Sequence, residues 1–328
     1  MSLLGQKLTA CSFFAGGGLL DYAFKDLFRI IWANEVNPSA ARSYQENVGD
    51  HVAIEDITAL DIDDIPCADL YIGGPPCTDY SSGGANRGEV GDSGNLVWTY
   101  LQIVRKKMPK VFLFENVSGM KNRHADTLHR LVHSFEELGY LVSYEEMEAT
   151  HYGNPSDRKR LFIVGIRFDL GFTFQFPRPR SFRKNVRDAI WDLPAPTESS
   201  ELDLNDGSIP NHVVTWTSPS PERILHITNN PKLNQWHPLR RLQWDKQCHT
   251  LLSHIAKDGR EFLHPSENRK ITVREMLRLM DVPDSYVIPL EIKITQQYRL
   301  VGNGVAYPVG QALARAIYEQ LKAVLRTG

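Results

Sequence analysis

The chain has 328 residues, of which 42% are hydrophobic and 23% charged. Such proportions exclude a disordered or collagen-like chain, and the length suggests about two domains. Thirty-seven Lys and Arg stand against 39 Asp and Glu, a net charge of −2. A uniformly basic protein is therefore excluded, and any nucleic-acid surface must be a local patch. No apolar run approaches the ~18 residues of a membrane span. Residues 1–7 lack the features of a signal peptide, which points to the cytoplasm. The four cysteines, Cys11, Cys67, Cys77 and Cys248, form no CxxC pair and no Cys/His cluster at zinc spacing, so neither a disulfide framework nor a metal site is expected.

In chain order, residues 8–14 read as a buried strand that runs into Ala15-Gly16-Gly17-Gly18, and residues 19–28 as a helix. Residues 30–35 read as a second strand, and Asn37-Pro38-Ser39 opens another helix with proline in its first turn. Residues 70–74 form a strand ending in glycines, and residues 111–115 an apolar strand ending in Glu115. Leu128, Leu131, Val132, Phe135 and Leu138 recur at helical spacing within residues 124–139, with Gly139 at the C-terminal end. Residues 161–165 are a later strand. Apolar strands alternating with helices indicate an α/β fold with a mostly parallel, Rossmann-like sheet and helices on both faces.

Past Phe176 prolines interrupt the chain and periodicity is lost, which marks a smaller, loop-rich domain over residues 177–285. Residues 1–176 and 298–328 form the larger domain, with a hinge at 286–297. Thr272-Val273-Arg274-Glu275 reads as a capping box opening a short helix through Met280. Residues 308–325 read as a last helix with Val309, Leu313, Ile317, Leu321 and Val324 on one face.

Four segments could carry chemistry. The glycines after the first strand allow close backbone approach to a ligand, and Glu35 at the end of the second strand stands where an acid commonly bonds ribose hydroxyls. A plain tight turn with a solvated glutamate is the alternative. The order Gly-x-Gly-x-x-Gly is not met, which argues against a dinucleotide and an oxidoreductase. Gly73-Gly74-Pro75-Pro76-Cys77 follows a buried strand, and two prolines restrict the backbone just before the thiol. That context suits a nucleophile, and the polar, glycine-rich residues 82–94 suit a lid; an inert thiol beside an ordinary loop is the alternative. Glu115, at the apolar end of its strand, could act as an acid if desolvation raises its pKa, or serve as a structural cap. Arg158-Lys159-Arg160 is either part of a site or a solvated basic triplet.

Taken together, eight segments in order resemble the DNA cytosine-5 methyltransferase family of bacterial modification enzymes. They are Phe14-Ala15-Gly16, Asn34-Glu35, Asp56-Ile57-Thr58, Pro75-Pro76-Cys77, Glu115-Asn116-Val117, Arg158-Lys159-Arg160, Thr272-Val273-Arg274-Glu275 and Gly302-Asn303-Gly304-Val305. The family usually has a second glycine where Leu19 stands, Gln at Thr78 and at Ser156, Phe or Trp at Tyr80, and Ser at Gly304.

The resemblance implies S-adenosyl-L-methionine as methyl donor, S-adenosyl-L-homocysteine as product, and no metal. Phe14, Ala15, Gly16, Gly18, Glu35, Asp56, Ile57, Pro76, Leu96, Asn303, Gly304 and Val305 would form the cofactor pocket. Phe14 and Ile57 would pack on adenine, Asp56 would bond its amino group, and Glu35 would hold the ribose. Cys77 would add to C6 of a flipped-out cytosine, Glu115 would protonate N3, Arg160 would hold O2, and Arg158 would support Cys77 or the backbone around it. The loop-rich region would be the target-recognition domain. Ser81, Ser82, Arg87, Arg178, Arg180, Arg183, Arg240 and Arg241 are the expected DNA contacts, with His212, Arg223 and Lys246 as further candidates. The implied partners are double-stranded DNA and a cognate restriction endonuclease, with no membrane and a monomeric chain. A tRNA cytosine-5 methyltransferase on the same scaffold and a catalytically inactive DNA-binding homologue are the alternatives. Trp98, Trp191 and Trp236 are expected in the core.

Overall fold

The computed structural model describes residues 7–76, 95–198, 208–214, 219–236 and 238–327. Strand β1 (Thr9–Phe13) is followed by α1 (Leu19–Phe24), β2 (Arg29–Asn34), α2 (Pro38–Asn47), β3 (Val52–Ala53) and β4 (Leu70–Gly73). Next come α3 (Asn95–Lys107), β5 (Val111–Val117), α4 (Gly119–Asn122), α5 (Ala125–Glu137), β6 (Tyr140–Glu148) and β7 (Lys159–Arg167). These strands make one sheet in the order β3-β2-β1-β4-β5-β7-β6. Strands β1 to β5 pair in parallel, and β7 lies antiparallel between β5 and β6. The order reverses between β1 and β4, so the carboxyl ends of these two strands flank the switch point at which open α/β sheets receive ligands.

Both faces of the sheet are covered, which is why its central strands are apolar throughout. Cys11, Phe13, Tyr71, Phe112, Phe114, Leu161 and Ile163 share one face and pack with Tyr100 of α3 and with Leu128, Leu131 and Phe135 of α5. Phe112 stacks on Phe135 with ring centroids 4.0 Å apart. On the other face of β1, Ser12 donates to Asp21 of α1. Asn37 caps α2, accepting from the amides of Ser39 and Ala40, with Pro38 in its first turn.

Later elements are shorter: α6 (Val186–Ile190), β8 (Thr197–Glu198), β9 (Val213–Val214), α7 (Pro221–Thr228), α8 (Pro231–Trp236), α9 (Val273–Leu279), α10 (Ile294–Asn303) and the long α11 (Tyr307–Thr327). The chain packs as two compact units. One comprises Met1–Glu148, Lys159–Pro179 and Val309–Gly328, and the other Ala149–Arg158 and Arg180–Pro308. Residues 149–158 and the segment 286–308 thus group with the second unit, whereas the sequence suggested a hinge at 286–297 and a return to the larger domain at 298.

The second unit is organised by buried polar groups. Thr272 and Glu275 form the expected capping box of α9. Glu275 also receives both terminal nitrogens of Arg269, at 2.8 Å each. Burial opposes charge on Glu275, but the Arg269 bonds outweigh it and hold this carboxyl below its ordinary range. Arg274 is fully buried and donates to the carbonyls of Pro210 and Tyr286.

Three further differences from the sequence reading are physical. Helix α1 ends at Phe24, a turn earlier than the apolar pattern continues. Strand β6 carries Glu145, Glu146 and Glu148, so its edge position hides the apolar signal expected of a core strand. Trp191 is 61% exposed and not in the core; it packs edge-on against Trp244 under the Arg187 guanidinium. Among the described residues, no helix is long and apolar enough to cross a membrane.

Candidate active site

The carboxyl end of β5 carries Glu115, and the facing strand β7 carries Arg160. In the antiparallel register Glu115 lies opposite Phe162 and Val117 opposite Arg160. Glu115 and Arg160 are therefore diagonal neighbours on one face of the sheet, within reach of long side chains. Arg160 Nε lies 2.9 Å from Glu115 Oε1, and both side chains are less than one-fifth exposed. A carboxylate and a cation are thus placed side by side at the strand ends, where the apolar core stops.

The segment leading to Cys77 is held against this pair. The Gly74 amide donates to Phe13 O, which extends the β4 pairing by one residue. A Cβ at Gly74 would lie 3.3 Å from Glu115 Oε2, so a side chain there would press on the acid. The buried Asn116 amide reaches Pro75 O at 3.5 Å, and its carbonyl accepts from the Val117 amide. Beneath, Tyr100 lies across Gly73 and donates to Tyr71 O and Leu113 O, clamping β4 to β5. A Cβ at Gly73 would fall 2.3 Å from the Tyr100 ring, so glycine is required there. Cys77 itself, with Thr78, Tyr80, Ser81, Ser82 and Arg87, lies outside the described residues.

On the other side of the switch point, β1 runs into a turn of left-handed residues. Phe14, Gly16 and Gly18 have φ of 56°, 57° and 81°. For Phe14 that conformation is uncommon and costly, a feature that clusters at ligand sites. Glu35 Oε2 accepts from the Gly16 amide and Oε1 from the Asn37 amide, each at 2.8 Å. The carboxylate is thereby fixed against the glycine turn before any ligand arrives, with lone pairs remaining on each oxygen. Val36 and Ile54 follow β2 and β3 and are 62% and 44% exposed. Apolar groups left open beside an oriented carboxylate suit a nucleoside, whose base and ribose need those two surfaces. The sequence reading overlooked both, because single exposed aliphatic residues carry no pattern.

Ile57 is buried in the core, and Phe14 and Leu96 pack partly buried against it. Asp56 is exposed, and Oδ1 accepts from both the amide and hydroxyl of Thr58, which lowers its carboxyl below the ordinary range. Pro76 is exposed. Asp21, in α1 just past the glycine turn, is fully buried, with Oδ1 unbonded. Burial raises its carboxyl to about 7, against the opposing bond from Ser12.

Other expected residues belong to the second unit. Arg158 is 2% exposed, donating to Leu251 O and Gly302 O at 2.9 Å each. Asn303 is exposed, Gly304 half-buried and Val305 buried. Arg180 and Arg240 are exposed, as is Arg178 in the first unit. Arg183 is anchored by bonds to Thr150 O and Arg180 O. Arg241 braces a loop, donating to His264 O, Glu267 O and Asn268 Oδ1. His212 is 2% exposed and bonded at both ring nitrogens, to Thr272 Oγ1 and Pro194 O, so it is a core residue and not a base contact. Cys11 and Cys248 are buried, and burial pushes both thiols up, Cys11 to about 12; Cys67 is exposed. Among the described residues no group of His, Cys, Asp and Glu could hold a metal ion.

The reversed β7 strand, the switch point and the acids at its rim make this a Rossmann-like methyltransferase fold. The chain belongs to the C-5 cytosine-specific DNA methylase family, whose model matches residues 8–319. It is 34% identical to the type II methyltransferase M.MthTI of Methanothermobacter thermautotrophicus, over 98% of this chain and 100% of that one. It is 32% identical to the type II methyltransferase M.FnuDI of Fusobacterium nucleatum, over 94% of each chain. Among solved structures, the methyltransferase EhMeth of Entamoeba histolytica superposes with a TM-score of 0.71 at 14% identity, covering 96% of this chain and 99% of that chain. A DNMT2 of Spodoptera frugiperda superposes with a TM-score of 0.70 at 18% identity, covering 95% and 99%.

Proposed function

We propose that this chain transfers a methyl group from S-adenosyl-L-methionine to C5 of a cytosine in a specific duplex DNA sequence. The observation that carries the reading is the Glu115–Arg160 pair, with the Gly74-Pro75 segment that leads to Cys77 lying against it. The donor supplies an electrophilic sulfonium methyl. Glu35, held by the Gly16 and Asn37 amides, would take the ribose hydroxyls, and Phe14, Val36, Ile54 and Ile57 the adenine.

Cytosine C5 is a poor nucleophile. The Cys77 thiolate would add its electron pair to C6 while Glu115 gives a proton to N3, leaving C5 with enamine character. C5 would then take the methyl group, with S-adenosyl-L-homocysteine as the leaving group. Loss of the C5 proton to a base and return of the N3 proton to Glu115 would restore the ring and expel the thiolate. Arg160 would hold O2 of the ring. Arg160 Nε lies 2.9 Å from Glu115 Oε1, and entry of the base would draw the guanidinium towards O2. A paired base cannot reach this arrangement, so the cytosine would flip out of the duplex at a cost of a few kcal/mol.

The second unit would read the DNA sequence, with Arg180, Arg183 and Arg240, together with Arg178, on phosphates. Ser81, Ser82 and Arg87 would meet the flipped nucleotide. A cognate restriction endonuclease is the expected genetic partner, and the chain would act as a monomer in the cytoplasm.

Duplex DNA containing 5-fluorocytosine tests the reading. The fluorine cannot leave as a proton does, so a covalent complex should accumulate, and peptide mass spectrometry should find it on Cys77. An adduct elsewhere refutes the assignment. Methyl transfer to tRNA but not to DNA moves the chain to the RNA alternative, and DNA binding without transfer moves it to the inactive one.

A further inference from the structure

Asn34 ends β2 and is 2% exposed, although its side chain is polar. Its groups reach both neighbouring strands. The Asn34 carbonyl accepts from the Ala15 amide at 2.9 Å, which ties β2 to the glycine turn after β1. On the other side, Nδ2 donates to Glu55 O at 2.8 Å and reaches Ala53 O at 3.5 Å. The next residue is Glu35, whose amide donates to Ala53 O and whose carboxylate accepts from the Gly16 amide. One buried residue thus joins the turn, the acid and the segment after β3.

The segment after β3 needs such a tie. Strand β3 is only Val52–Ala53, at the edge of the sheet. Its pairing with β2 ends at the bond from the Glu35 amide to Ala53 O, and the Asn34 side chain carries the connection two residues further, to Glu55. Between these two anchors stands Ile54, 44% exposed, one step past the Asn34–Ala53 pair as Glu35 is. A buried amide donor is costly to leave unmet, so the Asn34 bond fixes the Ile54 backbone firmly against the strand that carries the carboxylate.

We propose that Asn34 is a positioning residue for the methyl donor: its side-chain amide sets Ile54 at a fixed distance from Glu35, so that an apolar wall meets the base while the carboxylate takes the ribose. The inference rests on the reading that this chain binds S-adenosyl-L-methionine at Glu35 and Ile54.

The test uses the full chain and titrates S-adenosyl-L-homocysteine calorimetrically. Asn34→Asp keeps the size of the side chain and turns an oxygen towards Glu55 O where a donor stood. It should weaken binding about tenfold or more, and raise the KM for the methyl donor while kcat at saturating donor changes far less. Ile54→Ala, a half-exposed change that spares the core, should weaken binding about fivefold. Because the amide acts through Ile54, the double variant should fall well short of the product of the two single losses. Losses that multiply would show that the amide only holds the sheet together, and the inference falls. A loss of kcat as large as the change in KM overturns it too, as does wild-type binding in Asn34→Asp or in Ile54→Ala. If Asn34→Asp does not fold, Asn34→Ser, too short to reach Glu55 O, takes its place in the same cycle. Failure of the wild-type chain to bind S-adenosyl-L-homocysteine would instead remove the underlying reading.

Discussion

At the scale of single residues, two carboxyls in the first unit illustrate opposite uses of burial. Glu115 is held beside Arg160 at the rim of the sheet, where on the proposed reading a pyrimidine would compete for the cation. Glu115→Gln keeps the shape and removes the proposed proton carrier; single-turnover methyl transfer should slow by about 10²- to 10⁴-fold, with S-adenosyl-L-homocysteine binding unchanged. A rate within a few-fold of the wild type would reassign the acid. Asp21 is buried where nothing competes for it, and its carboxyl is raised from 3.8 to about 7. Between those values the folded chain keeps a proton that the unfolded chain has released. Stability should therefore fall as pH rises from about 4 to about 7 and level off above, by an amount on the order of 4 kcal/mol at most. Asp21→Asn keeps an acceptor for Ser12 and carries no titratable proton, so its urea-unfolding free energy should lose that slope. An identical slope in both proteins would show that other groups set it.

At the scale of elements, what the sequence disclosed depended on whether one segment carried its own signal. The strand at Thr9–Phe13, the glycine turn after it and the apolar run at 111–115 were legible because they are local features, although the last strand runs two residues past its acid, to Val117. The capping box at Thr272–Glu275 was legible for the same reason, since both partners sit three residues apart. Three things were not legible. The diagonal pairing of Glu115 with Arg160 depends on register across β5 and β7. The grip of Arg158 on Gly302 joins groups 144 residues apart. The second partner of Glu275, Arg269, lies outside the capping pattern. That last pair yields a contrast. Glu275 is almost wholly buried and Glu267 nearly half exposed, yet both pair with Arg269. Glu275→Ala strips the cap and leaves a buried cation poorly matched, and should cost about 3–5 kcal/mol in urea unfolding. Glu267→Ala, on the same arginine, should cost about 1 kcal/mol or less. Equal costs would mean that burial does not decide the value of these pairs.

At the scale of the whole molecule, a net charge of −2 gives no general attraction to DNA. Affinity for a polyanion must come from a few exposed cations, and each phosphate neutralised adds about 0.9 to the slope of log affinity against log salt. Adjacent arginines in the second unit separate this role from a structural one. Arg240 is exposed. Arg241 has turned its guanidinium inward, to His264 O, Glu267 O and Asn268 Oδ1. Arg240→Ala should weaken duplex binding, lower the salt slope by about one, and leave the melting temperature unchanged. Arg241→Ala leaves loop acceptors without their donor and should lower stability by about 2 kcal/mol, with the salt slope of the folded fraction intact. Fluorescence anisotropy on one duplex across a salt series, with thermal melts of both variants, measures both quantities. If the slope changes in Arg241→Ala and holds in Arg240→Ala, the inward-turned arginine is the DNA contact and the exposed one is not.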